Sequence, residues 1–411
     1  MSTRGRDLRL ATRGSDLALR QAGQVRAALA DRRFDVELVE VETTGDRVRD
    51  ELIHRLGKTG AFVRSLDERV LAGDVDAAVH SMKDVPTESP ADLVVAAVPE
   101  RGRPEDLLVT PDGSSLADLP EGATVGTSSL RRRAQLLAER PDLTVEPLRG
   151  NVDTRIEKLL APSLQREHER RLEAEEGGSE GEEDTTGGNE GTSSGGNGGD
   201  SNGTDHQGDD ENEADGRDDD EESTFERSVE AWFDDLSEIE RRALGREVET
   251  EYDAVVLAAA GLERAGLLHH VDAEPLETGT FVPAPGQGAL VVTAADGPLA
   301  ESLRDVLDHP RSRVETTVER TVLAELGGGC VAPLGVHAVL QGAVVSTRVR
   351  VLSRDGTEEV SATRDLPVER HPEAAREFAA DLADRGAADL IARAKREAGA
   401  ADDDASSVGE E

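Results

Sequence analysis

A lysine and an aspartate stand side by side in Val79-His80-Ser81-Met82-Lys83-Asp84-Val85-Pro86, at the end of an apolar run and just before a proline that stops regular structure. Only four lysines occur in the chain, Lys58, Lys83, Lys158 and Lys395, and one of them is here. Loops at the carboxyl ends of parallel strands are where such sheets bind ligands; a surface ion pair is the plainer reading of the same two residues. Gly126-Thr127-Ser128-Ser129-Leu130-Arg131-Arg132-Arg133 sets hydroxyls and free backbone N–H groups at a helix start followed by arginines, the makings of an anion site. In Arg149-Gly150-Asn151-Val152-Asp153-Thr154-Arg155 two arginines flank a glycine that lets the backbone approach a ligand. An arginine-rich chain also makes such clusters as solvated surface. Charge-assisted bonds worth about 1.5–3 kcal/mol each would nevertheless suit convergence on a polycarboxylate, and bidentate contacts survive salt that screens long-range attraction. Gly327-Gly328-Gly329-Cys330 places the one thiol on a glycine-rich loop, where a nucleophilic or covalently modified cysteine is the sharper reading. No second cysteine or ordered histidine set offers zinc spacing, so no metal is expected, and no local signature marks a cysteine hydrolase. Spacing alone reaches an enzyme acting on a polyanionic small molecule, with a non-catalytic two-lobed small-anion binding protein as the alternative.

These residues need strands and helices to bring them together. From residue 8 to about 150, short apolar runs alternate with helical stretches: Val36–Val41, Val75–Val79, Leu93–Val98, Leu107–Val109, Ala123–Gly126 and Thr144–Leu148. That alternation predicts an α/β fold with a largely parallel sheet. Ala11-Thr12-Arg13-Gly14-Ser15 and Val125-Gly126-Thr127-Ser128-Ser129 both read as strand, hydroxyl turn, helix, which hints at two similar halves. Strands at Asp253–Ala258 and Ala289–Thr293 continue the pattern. A small α+β unit follows, with strands near Val336–Leu340, Val345–Leu352 and Glu359–Arg364 and a helix through Ala374, Phe378 and Leu382.

Between 161 and 250 the pattern breaks, and this stretch holds 30 acidic against 8 basic residues. Residues 173–223 contain no Val, Ile, Leu, Phe, Tyr or Trp, so nothing there offsets the entropy of ordering. A disordered loop between two helical arms is expected. In the second arm, Phe225, Val229, Trp232, Phe233, Leu236 and Ile239 have helical spacing, with Ser223 and Glu226 as its capping box.

The net charge is −40, and 43 of the 47 basic residues are arginine. That balance argues against nucleic acid and anionic membranes as partners and points to the cytosol of a salt-adapted cell, where a Debye length near 3 Å in about 1 M salt quenches self-repulsion. A single cysteine fits a reducing compartment. With no apolar leader and no apolar run approaching about 18 residues, a cytoplasmic location is expected.

Taken in order, Ala11-Thr12-Arg13 with Ser15, the Val79–Pro86 octapeptide, Gly126–Arg132, Arg149–Val152 with Thr154-Arg155, Ala260-Gly261-Leu262 with Arg264, Pro283-Ala284-Pro285-Gly286-Gln287-Gly288, and Gly328-Gly329-Cys330 with Pro333 resemble the porphobilinogen deaminase (hydroxymethylbilane synthase) family, in a haloarchaeal-type form. The resemblance covers nearly all of the chain outside the insertion. It implies two doubly wound α/β domains similar to type 2 periplasmic-binding-protein halves, residues 1–100 with 288–306 and residues 101–287, then a C-terminal α+β domain, 307–400, and an acidic tail, 401–411. It implies a transferase that joins four porphobilinogens onto a dipyrromethane cofactor attached through Cys330, each with loss of ammonia, and releases a linear tetrapyrrole by hydrolysis. Asp84 matches the catalytic carboxylate. Cofactor binding falls to Lys83, Thr127, Ser129, Arg131, Arg132, Arg155 and Arg264, and substrate binding to Arg13, Ser15, Gln21, Phe62, Arg149, Gly150, Asn151 and Gln287. The resemblance further suggests a monomer and a transient hand-off of product to a uroporphyrinogen III synthase. This chain departs from the pattern at Lys58, one place early in its glycine loop, and at Gly327, where a glutamate often stands.

Overall fold

The structure is a computed structural model and describes residues 6–41, 61–88, 90–179, 228–329 and 332–407. Strands Arg6–Thr12 (β1), Phe34–Glu40 (β2), Ala77–Ser81 (β3), Leu93–Ala97 (β4) and Leu290–Ala295 (β10) form one sheet in the order β2-β1-β3-β10-β4. Strands Asp106–Thr110 (β5), Thr124–Gly126 (β6), Thr144–Glu146 (β7), Ala254–Ala258 (β8) and Asp272–Pro275 (β9) form a second, β7-β6-β8-β5-β9. In each sheet the first three strands are mutually parallel, as expected for βαβ units. The sheets are nonetheless mixed rather than largely parallel, because β10 is antiparallel to both β3 and β4, and β5 to both β8 and β9. Each intruding strand lies next to a crossing between the sheets: the chain passes over through residues 98–105 and returns through 276–289. The crossings touch where Gly102 N–H donates to Gly288 O at 3.1 Å. A Cβ on Gly288 would stand 2.6 Å from Gly102 O, and its φ of +83° also requires glycine.

The two halves repeat one local device. After β1, Ser15 caps helix Asp16–Ala30 (α1) by accepting from Ala18 N; after β6, Ser129 caps Leu130–Glu139 (α3) by accepting from Arg132 N. Each such cap contributes about 1 kcal/mol. Leu8, Leu10, Val79, Val292 and Leu303 pack one core, and Leu107, Ile156, Val255 and Leu262 another. Helices Ala61–Ala72 (α2) and Pro298–Leu307 (α8) cover the first sheet, as Val152–Ser179 (α4) and Ala259–Ala265 (α7) cover the second. Strand β9 had no signal in the sequence, since Asp-Ala-Glu-Pro does not alternate; it forms because the edge of β5 is there to pair with.

Three antiparallel strands, Leu334–Gln341 (β11), Val344–Leu352 (β12) and Glu359–Pro367 (β13), make the C-terminal sheet. Helices Pro310–Glu325 (α9), His371–Asp384 (α10) and Ala387–Ser407 (α11) accompany it, and Val318, Val322, Val336, Val349, Phe378 and Leu382 fill its core.

Around the acidic insertion, the first arm is the continuation of α4 to Ser179. The second is two helices rather than one, Val229–Asp235 (α5) and Glu238–Leu244 (α6). Leu236 is extended at φ −62°, ψ 136°, and Ser237 begins anew with a reciprocal capping box to Glu240. Trp232 stacks on His168 of α4, and the guanidinium groups of Arg242 and Arg246 meet Glu157, whose side chain is 2% exposed. The expected Ser223–Glu226 box and the loop 180–227 lie outside the described residues. Among the described residues no helix is long and apolar enough to cross a membrane, and no group of His, Cys, Asp or Glu could hold a metal.

Candidate active site

Lys83 and Asp84 sit on a single 3-10 turn, Met82–Asp84, directly after β3. Its hydrogen bond runs from Val85 N to Met82 O at 3.2 Å, and Met82 N donates to Ala289 O at 2.9 Å. Met82 is buried, Lys83 half-buried and Asp84 exposed, so the turn anchors on its apolar residue and offers the two charged ones. Behind it, buried His80 Nε2 lies 3.1 Å from both Asp67 Oδ1 and Thr293 Oγ1, tying β3 to α2 and β10.

The helices that follow β6 and β7 supply cations to the same neighbourhood. Burial lowers the pKa of Lys83, with Asp84 pulling the other way and Arg132 and Arg155 reinforcing the drop, so these side chains share one electrostatic neighbourhood. Arg155 donates through Nε to Gly150 O at 2.9 Å, and burial together with Arg132 brings its pKa down to about 10. Gly150 itself has φ +116°, and a Cβ there would stand 2.5 Å from Thr154 Cγ2.

Below these cations lies a buried hub that sequence reasoning missed. Asp106, the first residue of β5 and 0% exposed, accepts from Arg131 Nη2 at 2.7 Å, Arg132 Nη2 at 2.8 Å and Nε at 3.1 Å, and Gln287 Nε2 at 2.7 Å. Burial pushes its carboxyl pKa up, but the two guanidinium groups more than offset that and hold it well below the ordinary range. Arg131 and Arg132 also donate to Val282 O and Val256 O. The available signal was an acid directly before the apolar run Leu107-Leu108-Val109. A second missed carboxylate, Glu319 on α9, is 0% exposed, binds Arg101 in bidentate fashion at 2.9 and 3.1 Å, and accepts from Gly286 N at 2.6 Å.

The structure therefore brings together Lys83, Asp84, Arg131, Arg132, Arg155 and Gln287. Arg264 reaches the crossing instead, donating to Gly288 O at 2.7 Å. Ser15 and Ser129 serve as helix caps, and the Thr127 hydroxyl accepts from Ser129 N. Arg13 and Gln21 are half-buried at the start of α1; Arg149, half-buried, and Asn151, exposed, flank Gly150. Phe62 begins α2, but its side chain, like Lys58 and Cys330 altogether, lies outside the described residues. The cations Lys83, Arg131, Arg132 and Arg155 outnumber the carboxylates Asp84 and Asp106, and Arg131 Nε is a buried N–H with no partner among the described residues. Such a donor set fits a ligand bearing several carboxylates.

The comparisons with known proteins agree with this chemistry. A family model described as "Porphobilinogen deaminase, dipyromethane cofactor binding domain" matches residues 8–166 and 238–300, and one for the "Porphobilinogen deaminase, C-terminal domain" matches 314–385. The chain belongs to the porphobilinogen deaminase family. A probable porphobilinogen deaminase of Halobacterium salinarum is 59% identical over 95% of this chain and 99% of its own length, which makes this a haloarchaeal-type member. Porphobilinogen deaminases of Rubrobacter xylanophilus and Sulfurimonas denitrificans are 37% and 34% identical over 93% and 94% of this chain, and 95% and 96% of theirs. The porphobilinogen deaminase model skips residues 167–237, which fall inside the acidic stretch.

Proposed function

We propose that this chain condenses porphobilinogen at the Lys83–Asp84 turn, with Asp84 as the catalytic acid and the cations facing it as the carboxylate grip. The chain is a transferase of the hydroxymethylbilane synthase type with a dipyrromethane cofactor; the competing reading as a passive anion-binding protein is not favoured. When bound to the Cys330 thiol, the cofactor supplies the pyrrole carbon to which the first substrate is joined. Asp84 donates a proton to the substrate's leaving amine, which departs as ammonia, and the carboxylate so formed faces the positive charge left on the methylene carbon. Lys83, Arg13, Arg149 and Arg155 hold acetate and propionate carboxylates. Arg131 and Arg132 contribute from beneath through Asp106, because their remaining donors already have protein partners, apart from Arg131 Nε. Arg264 and Gln287 support the site from the crossings, and Ser15, Thr127 and Ser129 shape the turns. The carrying observation is a solvent-facing acid beside a half-buried lysine in a cluster where positive charge predominates.

The same order of strands in both sheets, with one antiparallel strand inserted at the same place, supports a kinship with type 2 periplasmic-binding-protein halves. The domains are then 1–100 with 288–306, 101–287 and 307–400. A cytoplasmic monomer acting on porphobilinogen and handing product to a synthase is the matching cellular reading.

Intact mass measurement of protein refolded with porphobilinogen tests the proposal. An added mass of two porphobilinogens less two ammonias, absent in Cys330→Ser, is expected; unmodified thiol in folded protein refutes it. Asp84→Asn should keep that mass while turnover falls about 100-fold or more. Near-normal turnover would remove Asp84 from the chemistry.

A further inference from the structure

The turn that carries Lys83 and Asp84 is fastened at its far end by a residue of another domain. Arg320, half-buried on α9, donates through Nη1 to Val85 O at 2.8 Å and Met82 O at 3.4 Å, and through Nη2 to Pro86 O at 2.6 Å. Helix α9 leads directly into Gly327-Gly328-Gly329-Cys330. We infer that Arg320 is a positioning residue for the reaction, fastening the Lys83–Asp84 turn to α9; the inference rests on the function proposed above.

The chemistry of the contact is specific. The carbonyls that Arg320 bonds closely, Val85 O and Pro86 O, follow the turn directly after Asp84, while Met82 O at 3.4 Å already accepts from Val85 N. The planar guanidinium satisfies neighbouring carbonyls with a rigid fork, which an ammonium cannot reproduce. The near end of the turn is held independently, by Met82 N on Ala289 O and by His80 between Asp67 and Thr293. Removing Arg320 therefore frees the end next to Asp84 while leaving the sheet intact. The preceding residue, Glu319, binds Arg101 and Gly286 N, so one helical turn of α9 grips both crossings and the acid-bearing loop.

The test uses the full chain as Arg320→Met and Arg320→Lys. Arg320→Met should lower kcat about 10- to 100-fold, the cost of a misplaced acid, with KM within about threefold of wild type. The mass on Cys330 should remain, and amide hydrogen exchange should quicken at residues 82–85. Arg320→Lys, which can satisfy only part of the contact, should fall between. A kcat within twofold of wild type in Arg320→Met, or a lowered kcat with exchange at 82–85 unchanged, overturns the inference. Should Arg320→Met not fold, Arg320→Lys decides: wild-type kcat and exchange overturn the inference, and a fall in kcat with quickened exchange supports it. A wild-type protein that makes no product would fail the proposed function instead, while the exchange comparison would still report on the clamp.

Discussion

Replacing Asp106 with asparagine removes one negative charge from a site where two guanidinium groups have little other compensation. Arg131 and Arg132 have side chains 5% and 8% exposed, and the carboxylate between them accepts from Arg131, Arg132 and Gln287. Breaking a buried ion pair by removing one partner costs about 3–5 kcal/mol, since the other charge stays desolvated. For a cooperative unit of about 150–250 residues, at about 2–4 °C per kcal/mol, that lowers the melting midpoint by about 10 °C. Differential scanning calorimetry of Asp106→Asn measures it. Contact at 2.7 to 3.1 Å within protein leaves no room for counterions, so the shift should be nearly the same in about 0.1 M and 1 M KCl. A loss below about 3 °C, or one abolished by salt, would refute the assignment of Asp106 as the buried counter-charge. The sign with pH follows from its depressed pKa. Its stabilisation is complete above the unfolded value near pH 4 and is lost as pH falls through the lower folded value. The acid limb of the stability curve should therefore flatten in Asp106→Asn.

Gly150→Ala forces a side chain into φ +116° and into contact with Thr154; a stability loss of about 1–3 kcal/mol with a raised KM is expected by denaturant titration and steady-state kinetics, and unchanged values would remove Gly150 from the site. Lys83, its pKa lowered by burial, should lose its proton below the ordinary lysine value of about 10.4, so KM for porphobilinogen should climb in that alkaline range. A KM flat up to pH of about 10.5 would argue against Lys83 as a carboxylate ligand. With a net charge of −40, the thermal midpoint should rise from about 0.1 M to 1 M KCl as self-repulsion is screened; a midpoint that stays put would dissociate the acidic composition from stability.

Much of the α/β pattern was legible because apolar runs such as Val75–Val79 and Leu107–Val109 mark strands whichever way they run. Direction was not legible. Strand β10 enters between β3 and β4, and its partners are about two hundred residues away in the chain, so no local periodicity records that it runs against them. The helix expected through Trp232 and Ile239 divides because the spacing of Leu236 and Ile239 is helical on either side of a serine that caps better than it continues. In the site, residues that would touch a ligand could be read from unusual local clusters: a rare lysine beside an acid, and arginines after a glycine or a hydroxyl turn. Their counter-charges could not. Nothing local marks Asp106 or Glu319 as a counter-charge, and only folding shows that Asp106 meets Arg131 and Arg132 and that Glu319 meets Arg101, all contributed by other segments.

Gln287 explains why those two carboxylates belong to one design. Its backbone carbonyl accepts from Arg101 Nε at 2.8 Å, its side-chain amide N–H groups donate to Pro104 O at 2.6 Å and Asp106 Oδ1 at 2.7 Å, and its side-chain oxygen accepts from Arg131 Nη2 at 3.3 Å. One residue on the returning crossing thus fastens two points on the outgoing one and the first residue of β5. Arg101 continues to Glu319 and the C-terminal domain, while Asp106 continues to α3 and the second sheet. The ion pairs on either side of Gln287 are buried, so sliding one crossing past the other would expose or unpair charge at both ends at once. A motion that pivots about this joint and leaves its bonds unbroken therefore costs less than one that slides the crossings past each other.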